Sequence, residues 1–285
     1  MAGNWQVNVS PSVSQRAPPS PQSENPATLG GLVWHSSTQA CSVRGVSGLD
    51  IYGGRDPNLL PAYSPGRAAA LILAPVATVR AWALGQRWIT ESGIHRYVKP
   101  VIKIADPREH RLSFQNLVEL HVLSAMTHRH NVRLPKVREA LEFLKKELRS
   151  EHPLVEFEFQ TDGYRLFVEH WGKLLNLNQG GQLVLGDTLK EYLSRVEWEG
   201  GQLRRLYPFL TRTAVPARTV VIDPRVQFGR PCLVGRRVTT DVLFDRWLAG
   251  EPLESLMNDF GVTPADLDSA FRYESNVRSL DRIAA

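Results

Sequence analysis

Residues 64–85 read SPGRAAALILAPVATVRAWALG, and this stretch decides the fold of the chain. Ser64 is a typical residue at the N-terminal cap of a helix, and Pro65 suits the first helical turn. Pro75 interrupts the first apolar run, and Gly85 ends the second. The stretch therefore predicts two short helices joined by a tight turn, which is the arrangement of a helix-turn-helix.

A test of individual positions supports this prediction. The motif needs apolar residues at five fixed positions, and the small residue Ala69 sets the register. The turn position usually carries glycine because its backbone is left-handed, whereas this chain has Leu73 there. The five apolar positions are filled by Ala68, Ile72, Ala74, Val79 and Trp82.

Residues 86–105 are rich in β-forming side chains around Ser92-Gly93, which predicts a β-hairpin, the wing beside such a helix pair. The second helix of the motif lies in the DNA major groove. Its outward Arg80 can bind guanine or phosphate, and Thr78 can contact phosphate or a thymine methyl. The alternative is a small helical hairpin with an exposed arginine. The predicted DNA-binding residues are Thr78, Arg80, Arg87, Arg96 and Lys99.

The charge of the chain is unevenly distributed. Residues 64–150 hold 15 Lys/Arg against 7 Asp/Glu, a net charge of +8 in a chain whose total is +5. This excess indicates a polyanionic partner such as double-stranded DNA, or simply a soluble basic surface. No apolar run is long enough to span a membrane, and no secretory signal is visible. The two cysteines, Cys41 and Cys232, fit a reducing compartment, so we expect a cytoplasmic protein.

The middle of the chain mixes helical and strand patterns. Two helices are predicted to begin at Ser113 and Pro135. Residues 155–160 alternate apolar and polar side chains, and Asp-Gly at 162–163 is a strong hairpin signal. We therefore predict that residues 164–171 return as a strand and that the segment forms a β-meander.

The C-terminal segment repeats the helix-turn-helix pattern with Gly261 at the turn position. Its five apolar positions are Leu256, Phe260, Val262, Leu267 and Ala270. The reading helix of this second unit carries Asp266, Asp268 and Glu274 against Arg272, and carboxylates are repelled by phosphate. The pattern therefore predicts a protein-binding rather than a DNA-binding surface.

These patterns give an α+β fold: a winged helix-turn-helix with a helical and β-meander extension, followed by a small three-helix domain. The tryptophans Trp82, Trp171 and Trp247 are assigned to cores. The first 58 residues are rich in Ser and Pro without periodicity, which is typical of a disordered tail. The predicted boundaries are 1–58 for the tail, 59–215 for the DNA-binding domain and 216–285 for the three-helix domain.

The sequence gives little support for an enzyme. His128 and His130 point to different sides of a helix, and His121 shares a face with His128 without a carboxylate or cysteine at ligand spacing. There is no glycine-rich phosphate loop after a buried strand and no nucleophile elbow. We therefore predict no catalytic residues, no metal site and no cofactor.

Two stretches resemble known bacterial families. The C-terminal segment of about 65 residues, with IDPRVQFGRPCLVGRRV and LAGEPLE, resembles the domain-of-unknown-function family numbered 433. Residues 61–200, with PAYSPGRAAA, TVRAW and HPLVEFEFQTDGYRLFVE, resemble the MerR-like or winged helix-turn-helix region of large VapB-like antitoxins. The resemblance implies a type II antitoxin that represses its own promoter and neutralises a PIN-like nuclease toxin.

A PIN-like nuclease holds metal ions with clustered carboxylates, so an antitoxin arginine is expected to neutralise such a site. The candidates for toxin binding are Arg230, Arg236 and Arg237; the alternative is that they only tie their loops to Asp223 or Asp241. A promoter with two half-sites implies a homodimer. Other functions compatible with the sequence are a stand-alone dimeric transcription factor without a toxin partner and an adaptor without DNA contact.

Overall fold

Short helices and short strands follow one another along the chain. The computed structural model describes residues 51–89, 92–127, 134–156, 159, 163–174, 179–209 and 218–284. The helices are α1 (Pro65–Leu71), α2 (Val76–Leu84), α3 (Phe114–Thr127), α4 (Leu134–Leu148), α5 (Tyr164–Leu174), α6 (Gln179–Leu193), α7 (Thr240–Leu248), α8 (Leu253–Phe260) and α9 (Pro264–Ala284). The strands are β1 (Gln86–Ile89), β2 (His95–Val98), β3 (Val196–Glu199), β4 (Gln202–Leu206), β5 (Val220–Val221) and β6 (Cys232–Leu233).

The strands pair in sequence order as two-stranded antiparallel hairpins, β1 with β2, β3 with β4 and β5 with β6. A bridge between Leu206 and Ile222 joins the end of β4 to the chain after β5. Helices combined with antiparallel hairpins make an α+β fold, as predicted. Within the described ranges, no helix is long and apolar enough to cross a membrane.

The centre of the fold is α3. Its side chains Leu117, Leu120 and Leu123 are fully buried, and the helix packs against α6 and against the chain at Pro153–Val155. Ser113 caps α3 as predicted, because its hydroxyl accepts a hydrogen bond from the backbone N–H of Asn116 at 3.2 Å.

The predicted β-meander is wrong. Residues 164–171, predicted as a strand, lie in α5, and Val155 ends a 3-10 turn instead of starting a strand. Phe167 and Trp171, four residues apart, are both buried, so the segment follows helical spacing even though a hairpin signal precedes it. Part of the predicted strand and Asp162 lie outside the described residues.

The third C-terminal helix is longer than predicted. The apolar positions of the predicted motif end at Ala270, but α9 runs on to Ala284. This extension packs against α1: the Tyr273 hydroxyl donates a hydrogen bond to the carbonyl of Leu71 at 3.1 Å, and Val277 is fully buried. Residues on both sides of the predicted boundary at 215/216 therefore share one hydrophobic core.

The predicted tail is too long at its C-terminal end. Residues 51–58 contact the rest of the fold: the Tyr52 hydroxyl donates to the carbonyl of Pro224 at 2.6 Å, and the Asn58 amide donates to the carbonyl of Leu203 at 3.1 Å. A Ser- and Pro-rich composition does not reveal such single long-range contacts. Residues 1–50 lie outside the described residues, so this part of the prediction is not tested.

Candidate functional site

The helix pair α1–α2 has the local geometry that its sequence predicts. The Ser64 hydroxyl accepts a hydrogen bond from the N–H of Arg67 at 3.1 Å and caps α1. Leu73 has a φ of +54°, so this non-glycine residue adopts the left-handed backbone of the turn position. Its side chain is buried, and this packing offsets the backbone strain. The five apolar positions of the motif, Ala68, Ile72, Ala74, Val79 and Trp82, are all buried.

The opposite face of α2 is open. Ala77 and Arg80 are exposed, and Thr78 and Ala81 are half-buried. Small residues around Arg80 leave room for a second molecule to approach the helix backbone. This face therefore presents one exposed cation among small side chains.

The hairpin β1–β2 follows α2 directly. Gly85 has a φ of +80°, and a Cβ atom there would lie 2.5 Å from the carbonyl oxygen of Val98, so only glycine allows this close approach. The register pairs Arg87 with Tyr97 and Trp88 with Arg96. Directly paired residues share a face of the ribbon, so Arg87 and Arg96 lie on opposite faces.

Both faces of this hairpin are accessible. Arg87 and Arg96 are exposed, and so is Lys99 just after β2. The Arg87 guanidinium lies 5.1 Å from the centroid of the Tyr97 ring, which holds it against the strand. The structure thus brings the predicted cations of the wing to a projecting ribbon next to α2.

Sequence patterns missed one further basic residue at this site. The Arg138 guanidinium on α4 donates a hydrogen bond to the carbonyl of Lys99, which places α4 beside the end of β2. The net charge of residues 64–150 includes Arg138, but the sequence pattern does not connect this residue with the hairpin. Its proximity to Lys99 depends on tertiary packing that no local pattern encodes.

The second helix pair, α8–α9, shares the left-handed turn of the first pair but differs from it in charge and in packing. Gly261 has a φ of +61°, close to the +54° of Leu73, whereas α8 and α9 pack against each other less than α1 and α2 do. Counted from these turns, Arg80 on α2 and Asp268 on α9 occupy the same motif position. Thr263 and Asp266 form a capping box at the start of α9, since each side chain accepts a hydrogen bond from the backbone N–H of the other residue.

Two details of this second unit differ from the prediction. Glu274 does not face solvent: it is buried, and the Thr240 hydroxyl donates to it at 2.6 Å. Burial raises the pKa of this carboxyl group. Trp247 is not in the core either, since 41% of it is exposed. α8 and α9 cover only some of the apolar side chains of α7. Leu243 is covered and buried, whereas Trp247 is not.

The loops around β6 contain the three arginines predicted to bind a toxin. Arg230 forms an ion pair with Asp241 at 2.5 Å. This pair agrees with the alternative prediction, in which the arginine ties its loop to an aspartate. Arg236 and Arg237 are exposed in the loop between β6 and α7. The arrangement therefore separates Arg230, which helps to hold its loop, from the two arginines that present their charge to solvent.

The aspartate and glycine of the DPRVQFG stretch have structural roles. Asp223 is buried, and it accepts hydrogen bonds from the side chain of Arg205 at 3.1 Å and from the N–H of Arg225 at 2.9 Å. Gly229 has a φ of +76°, and a Cβ atom there would overlap the Tyr63 hydroxyl oxygen. This stretch therefore fixes the C-terminal segment against residues from the first half of the chain.

The histidines do not form a visible metal site. His121 is fully buried, its Nε2 lies 3.2 Å from the carbonyl oxygen of Tyr192, and burial lowers its pKa to about 4. His128 and His130 lie outside the described residues. Within the described part of the chain, no cluster of three His, Cys, Asp or Glu side chains is placed to bind a metal ion.

The chain resembles known proteins in sequence and in fold. Residues 220–273 match the family model described as "Protein of unknown function (DUF433)". A Mycobacterium tuberculosis protein named "Putative antitoxin VapB45" is 26% identical over 241 residues, covering 79% of this chain and 95% of its own. The crystal structure of Rv2018 from the same organism aligns with a TM-score of 0.53 at 22% identity, over 74% of this chain and 97% of that one.

The chain is thus antitoxin-like. Its C-terminal segment matches a DUF433 domain, and most of its length is distantly similar to a protein named as an antitoxin. The similarity to that protein extends well beyond the DUF433 segment, so the likeness does not depend on this one domain. The crystal structure supports the fold alone.

Proposed function

We propose that this protein is the DNA-binding antitoxin of a type II toxin–antitoxin pair, and that it represses its own promoter and neutralises a PIN-like ribonuclease toxin. The observation that carries the proposal is the site formed by α1, α2 and the β1–β2 hairpin. The left-handed backbone at Leu73 forms the turn between α1 and α2. Exposed cations project from α2 and from the hairpin next to it.

In this proposal α2 enters the major groove. Arg80 reads a guanine or contacts phosphate, Thr78 contacts phosphate, and Arg87, Arg96 and Lys99 bind the backbone beside the groove. Because Arg87 and Arg96 lie on opposite faces of the ribbon, they contact phosphates on opposite walls of a groove into which the ribbon projects. Two copies of the chain bind two half-sites.

The C-terminal unit contacts the toxin. Distant similarity to a protein named as an antitoxin supports a toxin partner. Arg236 and Arg237 carry exposed charge that is suited to the carboxylates of a nuclease active site. In this proposal the protein acts by binding to DNA and to the toxin.

The proposal is tested with the DNA upstream of its gene and with the product of the adjacent reading frame. Co-expression of this protein is expected to restore growth to cells that are arrested by that product, and the two proteins are expected to purify as a complex. Growth that stays arrested, with no complex formed, would contradict the antitoxin role. Binding to upstream DNA without any toxin complex would instead support a stand-alone transcription factor.

A further inference from the structure

The unit formed by α7, α8 and most of α9 is acidic. Residues 240–280 hold 8 Asp/Glu against 3 Arg, a net charge of −5 in a chain that is basic overall. The three arginines are each engaged by a carboxylate of the same unit: Arg246 by Asp259, Arg272 by Asp268 and Arg278 by Asp245. Of the other carboxylates, Asp241 is paired with Arg230 outside this range and Glu274 is buried. The excess of negative charge at the surface of the unit therefore comes from Glu251, Glu254 and Asp266.

An apolar surface opens on this acidic unit. We call it the aromatic patch and define it by Phe244, Trp247, Leu248 and Phe271. Trp247 and Leu248 lie one turn after Phe244 on α7, on either side of it, and they are 41% and 58% exposed. The Trp247 ring stacks on Phe271 of α9 with centroids 4.9 Å apart and an interplanar angle of 23°.

The patch is rigid rather than loosely exposed. Trp247 packs against both Phe271 and Phe244. The Phe244 side chain is buried, and its ring centroid lies 5.6 Å from that of Trp247. The Arg278 guanidinium covers the other side of Phe244 at 4.7 Å from the ring centroid. A pre-organised, partly exposed aromatic side chain is a common form of a binding hot spot.

We propose that the aromatic patch is the surface on which the toxin docks, and that the toxin offers an apolar side chain surrounded by Lys or Arg. This inference rests on the proposed antitoxin function and names the site where it acts. The apolar contact supplies affinity, and the acidic unit attracts a basic partner. Arg236 and Arg237 then reach the toxin from a loop outside the acidic unit.

Charge excludes two other occupants of the patch. DNA is repelled by a unit whose surface carboxylates outnumber its arginines. A second copy meeting this face with its own face brings together two units of the same sign, which costs free energy. A protein of opposite charge avoids both costs.

The test compares full-length variants in titrations against the toxin, the product of the adjacent reading frame, by isothermal calorimetry. Leu248 is more than half exposed, so its substitution leaves the fold intact, and thermal denaturation checks this. Leu248→Lys is expected to weaken toxin binding more than Leu248→Glu, by about 5- to 10-fold, because the partner is basic. Trp247→Ser is expected to weaken binding by about 30-fold or more. The matched control is Leu183 on α6, which is 68% exposed and lies on another helix, changed to Lys and to Glu.

The possible results of these titrations separate the inference from the proposed antitoxin function. Weak binding by the patch variants, with wild-type binding by the Leu183 variants, supports the inference. Wild-type affinity in all folded patch variants would overturn the inference while leaving the antitoxin function in place. A wild-type chain that binds no toxin would remove the proposed function itself. A patch variant that changes only the self-association of the chain, measured by sedimentation, would assign the surface to a second copy and overturn the inference.

Discussion

Gly229 shows how one backbone position holds distant parts of the chain together. Its φ is +76°, and an added Cβ would overlap the Tyr63 hydroxyl oxygen. Gly229→Ala is therefore expected to lower the free energy of unfolding by about 2–4 kcal/mol, because it combines backbone strain with a steric clash. Gly235 is the matched control, since its φ is +72° and an added Cβ would meet no atom of the described residues within 4 Å. Gly235→Ala should cost only about 1 kcal/mol, and equal losses in urea titrations would contradict the role of Tyr63.

His152 gives the fold a pH dependence of defined sign. Its Nδ1 lies 3.0 Å from Oε1 of the buried Glu119, and this hydrogen bond raises the pKa of His152 above its ordinary value of 6.5. A raised histidine pKa stabilises the folded state below pH 6.5 and loses this contribution as the pH rises through the folded-state pKa. Urea titrations at pH 6 and pH 9 should show that the stability difference between wild type and His152→Gln shrinks at high pH. A difference that is constant or that grows would contradict this interaction.

At the scale of elements, α9 links the two helix pairs. Tyr273 donates a hydrogen bond to α1 and is fully buried against it. Tyr273→Phe is expected to cost about 1 kcal/mol of stability through the lost hydrogen bond, and Tyr273→Ala about 3–5 kcal/mol through the cavity. Tyr97, which is half exposed on the hairpin, is the control, and Tyr97→Ala should change stability by about 0.5 kcal/mol or less. Similar losses at both tyrosines in chemical denaturation would show that α9 is not a structural link.

The elements also show what a sequence can and cannot predict. α1, α2, the following hairpin and α8 were predictable, because caps, prolines and glycines mark their ends locally. α5 was not, since an Asp-Gly pair ahead of it is a strong hairpin signal, and only the burial of Phe167 with Trp171 identifies the helix. The hairpin β3–β4 was not predicted at all. Its buried residues Val196, Leu203 and Leu206 are few and are interrupted by a register shift between Glu197 and Trp198, so their alternation is weak.

The residues of the candidate site could likewise be predicted only in part from the sequence. Arg80 follows from the motif register, and the wing cations follow from the hairpin pattern. The contact of Arg138 with Lys99, the pairing of Arg230 with Asp241 and the exposure of Trp247 depend on tertiary packing. A helix face with surplus apolar residues looks the same in sequence whether the protein core or a partner covers it.

At the scale of the whole molecule, the chain carries the same turn pattern twice with opposite charge. Leu73 and Gly261 both have a left-handed φ at the turn position, and the surface positions counted from them carry Arg80 in one unit and Asp268 in the other. The helix α9 contributes Tyr273 and Val277 to the main core and Leu267 and Ala270 to the separate core of the C-terminal unit. We therefore expect the basic unit to bind DNA and the acidic unit to bind protein.

Fluorescence anisotropy on the DNA upstream of the gene tests this division most directly, with full-length wild type, Arg80→Ala and Asp268→Ala at fixed salt. Arg80→Ala is expected to lose about 1–3 kcal/mol of binding free energy, and Asp268→Ala to bind as tightly as wild type, because its unit does not face the DNA. Wild-type affinity in Arg80→Ala, or a loss in Asp268→Ala as large as that expected for Arg80→Ala, would contradict the account.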